Sequence, residues 1–203
     1  MITWIITGGI GCGKSMLCGF FAREAERVVV FDSDECVHRL LTTGSIVRRL
    51  VEAFGGEIVG GDGEIIRSEL RRFVFSDTAN RRTVERIVHP AVYDDLRRSI
   101  SDARTNGGVD LFIADIPLYF ETKPADLKSD QVLVVAASRG VQVERIVARS
   151  KGSIDPIFAG QIVDAQLPVS LKVERGDRAI WNDGSKDSFR RQAGRLLALR
   201  KAG

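Results

Sequence analysis

Histidine and cysteine are scarce in this chain, with two of the first and three of the second among 203 residues. Cys12, Cys18 and Cys36 are odd in number and form no C-x-x-C pair. That argues against a disulfide framework or a thiolate zinc site and points to free thiols in a reducing compartment. His38 and His89 stand outside any cluster with metal-ligand spacing, and no Ser-His-Asp arrangement can be built on them. Charge of one sign is also lacking. The 30 Lys and Arg nearly balance 27 Asp and Glu, leaving +3, too weak a field for a nucleic-acid binder. Long apolar runs are missing: the N-terminal Ile2–Thr7 is too short for an export signal or a membrane span and leads into glycines. No repeat and no low-complexity tract is visible. A cytoplasmic protein with neither nucleic acid nor membrane as partner is expected.

What is present suits one α/β domain. Hydrophobic residues make up 44% of the chain, enough for a core without a metal or disulfide staple. Ile2–Thr7 and Val28–Phe31 read as strands flanking a glycine loop and a helix with Met16, Leu17, Phe20 and Phe21 on one face. Val109–Ala114, Gln131–Ala136 and a short Arg178–Trp181 complete five strands, whose continuous apolar character predicts a parallel sheet covered on both faces. From Val37 to Ala103 the pattern is helical. There Pro90 is expected in the first turn of a helix carrying Val92, Leu96 and Ile100. A second helical and basic insert spans about 139–166. A last helix runs near Asp187 to Lys201, with Phe189, Ala193, Leu196 and Leu197 on one side.

The strongest chemical signal is Gly8-Gly9-Ile10-Gly11-Cys12-Gly13-Lys14-Ser15. It satisfies G-x-x-x-x-G-K-[ST] between a strand and a helix, the context the phosphate loop requires. Glycines let successive N–H groups curl toward phosphate oxygens, and the helix N-terminus adds its positive end. Lys14 is placed to reach the β- and γ-phosphates of a nucleoside triphosphate, and the Ser15 hydroxyl to ligate Mg²⁺.

Asp32 and Asp34 follow the second strand, at the strand end where α/β sheets bind ligands. One of them can accept a proton from an attacking hydroxyl or hold a metal-bound water, and one can cap the following helix. Asp115 closes the third strand, where it reads either as an acid assisting Mg²⁺ or as a turn residue before Pro117. Arg139, Arg145, Arg149 and Lys151 form a basic run, with Arg145 and Arg149 on one helix face. Such a run is either a solvated surface or a lid that meets phosphate. Cys12, near a lysine and a helix N-terminus, reads either as a thiol of lowered pKa and redox sensitivity or, the favoured reading, as a small residue tolerated in the loop.

In order along the chain, these residues resemble the dephospho-coenzyme A kinase family. Thr7–Ser15 is similar to its phosphate loop and Phe31-Asp-Ser-Asp34 to its Asp-x-Asp. Ile66-Arg67, Val74-Phe75-Ser76-Asp77 and Val88-His89-Pro90-Ala91-Val92 match its helical lobe. Ile116–Glu121 resembles its Pro-Leu-Leu-Phe-Glu strand end, and Gln166-Leu-Pro168, Lys172 and Asn182-Asp-Gly184 its C-terminal pattern. The resemblance covers about residues 3–185. It implies a P-loop kinase core (1–36, 104–138, 167–203), a coenzyme A lobe (37–103) and a lid (139–166). It also implies transfer of the ATP γ-phosphoryl to the ribose 3′-hydroxyl of dephospho-coenzyme A. Asp34 would be the base, and Lys14 with Ser15 and Mg²⁺ would hold ATP along Gly9, Ile10, Gly11, Cys12, Gly13 and Met16. Arg145 and Arg149 would close over the phosphates, with Asn182 near the adenine. Arg67, His89, Asp115 and Pro117 would face the acceptor. A monomer or weak homo-oligomer is expected. The rival readings are another small-molecule or nucleoside monophosphate kinase, and a non-catalytic nucleotide-binding module.

Overall fold

The computed structural model describes residues 1–122 and 127–200. Five strands form one sheet in the order β2-β3-β1-β4-β5. They are β1 (Ile2–Gly8), β2 (Val28–Asp32), β3 (Leu111–Asp115), β4 (Gln131–Ala136) and β5 (Arg178–Trp181). Parallel pairing sets Ile6 against both Asp115 and Leu133, and Gly8 against Val135. β4 pairs parallel with β5 from Leu133↔Arg178 to Ala136↔Trp181. β1, β3 and β4 are buried along nearly their whole length, as continuous apolar strands covered on both faces should be. β3 starts two residues later than the apolar run suggests. Gly107 and Gly108 adopt positive φ and the Asp110 amide donates to the Arg27 carbonyl, so the entry is a turn.

The contact pattern divides the chain into two compact units, Met1–Phe31 with Asp102–Gly203, and Asp32–Ser101. In the first, helix α1 (Lys14–Glu24) buries Leu17, Cys18 and Phe21. The Phe21 ring meets Trp4 edge-on at 5.5 Å between centroids. Burial of one such side chain contributes about 1.5–3 kcal/mol.

The second unit holds α2 (Ser33–Leu40), α3 (Gly44–Phe54), α4 (Arg67–Ser76) and most of α5 (Thr78–Asn106). α5 corrects the expectation for Pro90. The proline does not open a helix but lies inside one of 29 residues. A proline there removes one intrahelical hydrogen bond and crowds the preceding turn. Its side chain is exposed, whereas Ile87, Val88, Val92, Leu96 and Ile100 are buried. That continuous apolar stripe carries the helix through the proline.

The first unit continues with α6 (Tyr119–Thr122), α7 (Arg139–Arg149), α8 (Pro156–Asp164), α9 (Val169–Arg175) and α10 (Lys186–Leu199). Asp155 caps α8 by accepting from the Phe158 amide, with Pro156 in the first turn. α10 buries Phe189 and Ala193 and rests Leu196 and Leu197 against the same core. Lys201, to which the sequence extends this helix, lies outside the described residues.

Candidate active site

Two glycines give the phosphate loop its shape. Gly8 ends β1 in register with Val135, and a Cβ at this position would run into the Val135 carbonyl. Gly13 has φ of 97° at the N-cap of α1, and a Cβ there would collide with the Asn182 side-chain amide. No side chain caps α1 and no acid lies in its first turn. Among the described residues, the amides of Gly11, Gly13, Lys14 and Ser15 meet no protein acceptor. Four donors at the positive end of a helix form an anion site. Ser15 is solvent-exposed beside them.

The Lys14 ammonium sits 3.0 Å from Asp115 Oδ1, with both side chains largely buried. The Cys18 thiol donates to Asp115 Oδ2 at 3.5 Å. Asp115 therefore points back at the loop lysine and compensates its charge.

A second layer braces the outside of the loop. Buried Asn182 donates its side-chain amide to the Cys12 carbonyl at 2.8 Å, and its own carbonyl accepts from Arg145 at 2.6 Å. Arg145 also donates to the Gly11 carbonyl at 3.1 Å. Gln166 accepts from the Ile10 amide at 2.9 Å. Gln142, also buried, donates to the Ala137 carbonyl. These contacts engage the Gly11 and Cys12 carbonyls and the Ile10 amide, and leave the amides of Gly11, Gly13, Lys14 and Ser15 as donors. A cavity of about 520 Å³ opens on this outer side, between Gly9, Gln142, Gln166, Val169 and Trp181.

At Cys12 the structure favours the small loop residue over the reactive thiol. Its side chain has no exposure, and burial raises the thiol pKa above its usual value. The Gly9 and Ala137 backbone contacts, Lys172 and Arg145 oppose that rise without overcoming it. The thiolate needed for oxidation is thus disfavoured.

In the basic run, Arg139 forms a two-pronged pair with Asp164, at 2.8 and 2.7 Å, joining the start of α7 to the end of α8. Arg149 is exposed in the last turn of α7. Ile157 and Phe158, at the start of α8, are exposed apolar side chains.

In the helical unit, Asp32 takes the capping role, accepting from the amides of Asp34 and Glu35 at 2.8 and 3.1 Å. Asp34 is left exposed in the first turn of α2. It lines a cavity of about 480 Å³ with Glu35, Val37, His38 and Arg67. His89 is not among those lining residues. It is half-buried with its ring 6.2 Å from Tyr93, and burial lowers its pKa below 6.5 despite the opposing charge of Glu85. In the same unit the Cys36 thiol, buried and donating to Asp95 at 3.2 Å, is pushed up to about 12.

Comparison with known proteins decides the family. The sequence profile described as dephospho-CoA kinase matches residues 3–188. The chain belongs to the dephospho-CoA kinase family. A dephospho-CoA kinase from Methylococcus capsulatus is 38% identical over 178 residues, 87% of this chain and 85% of that protein. One from Syntrophotalea carbinolica is 33% identical over 98% of this chain and 92% of its own length. A crystal structure of a Thermus thermophilus protein superposes with a TM-score of 0.75 at 30% identity, covering 98% of this chain and 97% of the other. The sheet, the phosphate loop and the helical unit thus occur in a chain that matches this kinase family from near one end to near the other.

Several residues of this family member are placed by the fold in ways the sequence did not announce. Lys172 is fully buried and pairs with Glu121 at 2.7 Å. In isolation, Val-Ser-Leu-Lys-Val-Glu-Arg reads as a helix with an exposed charge. Gln142 likewise carries no sequence signal. The only hint was the match of Gln166 and Lys172 to the family's C-terminal pattern, which gave neither a role.

Proposed function

We propose that the chain phosphorylates the ribose 3′-hydroxyl of dephospho-coenzyme A with ATP, giving coenzyme A and ADP. The observation that carries this reading is family membership extending across the whole helical unit as well as the phosphate loop. A generic nucleotide-binding module would share only the loop.

ATP is the donor. The amides of Gly11, Gly13, Lys14 and Ser15 take its phosphate oxygens, and Lys14 leaves Asp115 to neutralise the β- and γ-phosphates. The transferring group spreads negative charge over its oxygens, and pre-placed donors lower that cost without rearranging. Arg145 uses only part of its guanidinium on the Gly11 and Asn182 carbonyls, so further N–H groups remain for phosphate. Arg149 is the second lid cation. Asn182 acts on the nucleotide side through its hold on the loop, and Gly9, Ile10, Cys12 and Met16 shape the ATP site, the amides of the last three being bonded to Gln166, Gly9 and Gly13.

Asp34 accepts the proton of the 3′-hydroxyl as the new O–P bond forms and the bond to the ADP oxygen breaks. Arg67 and His89, with Asp115 and Pro117, belong to the acceptor side. The Asp32–Ser101 unit serves as the coenzyme A lobe and the 139–166 segment as the lid.

Hard oxygen donors, the Ser15 hydroxyl and the Asp115 carboxylate, fit Mg²⁺, which binds few protein groups and completes its shell with phosphate and water. Bound Mg²⁺ would neutralise charge shared by the β- and γ-phosphates. Among the described residues no helix is long and apolar enough to cross a membrane. Free thiols and soluble substrates fit a cytoplasmic setting.

Asp34→Asn tests the base. We expect kcat to fall by about 10²-fold or more while the ATP dissociation constant hardly changes. A near-normal kcat would remove Asp34 from that role. An acceptor screen with ATP and Mg²⁺ tests the substrate. Dephospho-coenzyme A should be phosphorylated, and adenosine, nucleoside monophosphates and shikimate should not.

A further inference from the structure

Lys172 has no solvent exposure, and its ammonium finds three oxygens, one at the end of β1 and two in the stretch that follows β3. Glu121 Oε1, on α6, lies at 2.7 Å. The Gly8 carbonyl, at the base of the phosphate loop, lies at 3.4 Å, and the Pro117 carbonyl, in the turn after β3, at 3.5 Å. The ammonium has three protons, matching these three acceptors. Pro117 is pinned from a second side, because its carbonyl also accepts from the Thr7 hydroxyl at 3.1 Å.

The same segment is tied at its other end. Glu121 accepts from the Leu167 amide at 3.2 Å, and Gln166 accepts from the Ile10 amide at 2.9 Å. Residues 166–172 therefore form a strap that touches the phosphate loop twice, at the Ile10 amide and at the Gly8 carbonyl. The strap follows directly on α8, so it also connects the 139–166 segment to the loop.

A buried ion pair is a poor device for stability, because apolar side chains of similar size serve as well or better. What the pair supplies is placement. It fixes the carbonyl from which the loop departs relative to the turn that follows Asp115.

We infer that Lys172, with Glu121, is a positioning residue for phosphoryl transfer: it locks the base of the phosphate loop to the turn after β3, so that the loop amides hold one arrangement before nucleotide arrives. The inference deepens the kinase reading and rests on it only for its effect on turnover.

The test compares wild type with Lys172→Met, Glu121→Gln and the double variant Glu121→Gln/Lys172→Met, all as full chains. The double variant leaves no unpaired buried charge and keeps an acceptor for Leu167. It should melt close to wild type. Amide hydrogen exchange at Ile10 and Cys12, the hydrogen-bonded amides within the loop, should nevertheless rise by about ten-fold or more in the absence of any ligand. With ATP and dephospho-coenzyme A, kcat should drop on the order of 10²-fold while the acceptor KM changes little. A merely structural pair would move melting and leave both readouts intact. Wild-type exchange in the double variant would overturn the inference. Should the double variant not fold, Glu121→Gln alone decides, because that side chain is partly exposed; exchange at the wild-type rate would again overturn it. A wild-type enzyme that ignores dephospho-coenzyme A would count against the kinase reading and leave the exchange result standing.

Discussion

At Cys12 and His89, burial more than the neighbours along the chain sets the chemistry. A thiol within a phosphate loop, next to a lysine, reads as reactive. Burial decides instead for the small, unreactive residue by raising its pKa. We expect Cys12→Ser to leave the peroxide sensitivity of activity unchanged, measured as residual turnover after a timed exposure. His89 is held toward its neutral form by burial, with a folded-state pKa below 6.5. The unfolded chain therefore takes up this proton first as pH falls. The stabilisation from the neutral ring is fully present above about 6.5 and drains away as pH drops through the lower folded value. Urea unfolding on both sides of that pH should show a steeper acid loss in wild type than in His89→Gln. The phosphate loop was legible residue by residue, because its glycine spacing is dictated by backbone geometry. The bracing layer was not. A lysine such as Lys172 becomes a buried cation only when two distant segments, the end of β1 and the stretch after β3, converge on it.

At the level of elements, strands were the easiest to read. β1, β3 and β4 are short apolar runs, the first closed by Gly8 and the second by Asp115, and a doubly covered sheet requires that apolar composition. Helix boundaries were harder, above all in α5. Proline is a good opening residue, and nothing local says that apolar contacts will carry a helix through it. That contact energy competes with an intrinsic penalty of about 3 kcal/mol for proline relative to alanine in a helix interior. Proline also stiffens the unfolded chain, which offsets up to about 1 kcal/mol. Pro90→Ala should stabilise the Asp32–Ser101 unit by roughly 2 kcal/mol, seen as a higher urea midpoint at unchanged slope. A lower midpoint would mean that the neighbours of Pro90 are built around its ring.

For the molecule as a whole, two compact units imply that unfolding need not be a single step. Nucleotide should raise the melting temperature through the unit that contains the phosphate loop. At a free concentration 100 times its dissociation constant, ATP adds about 2.7 kcal/mol. Lys14→Ala should abolish most of that shift in a thermal scan with and without ATP and Mg²⁺, and should abolish turnover. An undiminished shift would mean that the triphosphate is held elsewhere. The helical unit is one uninterrupted stretch of sequence, entered after Phe31 and left at Ser101. Such a stretch is a natural cassette. A homologous piece could be spliced between the same two junctions to alter which alcohol is accepted, with the phosphate loop untouched. The second junction falls inside α5, so the graft must preserve helical phase across it or the incoming piece would be rotated about its own exit.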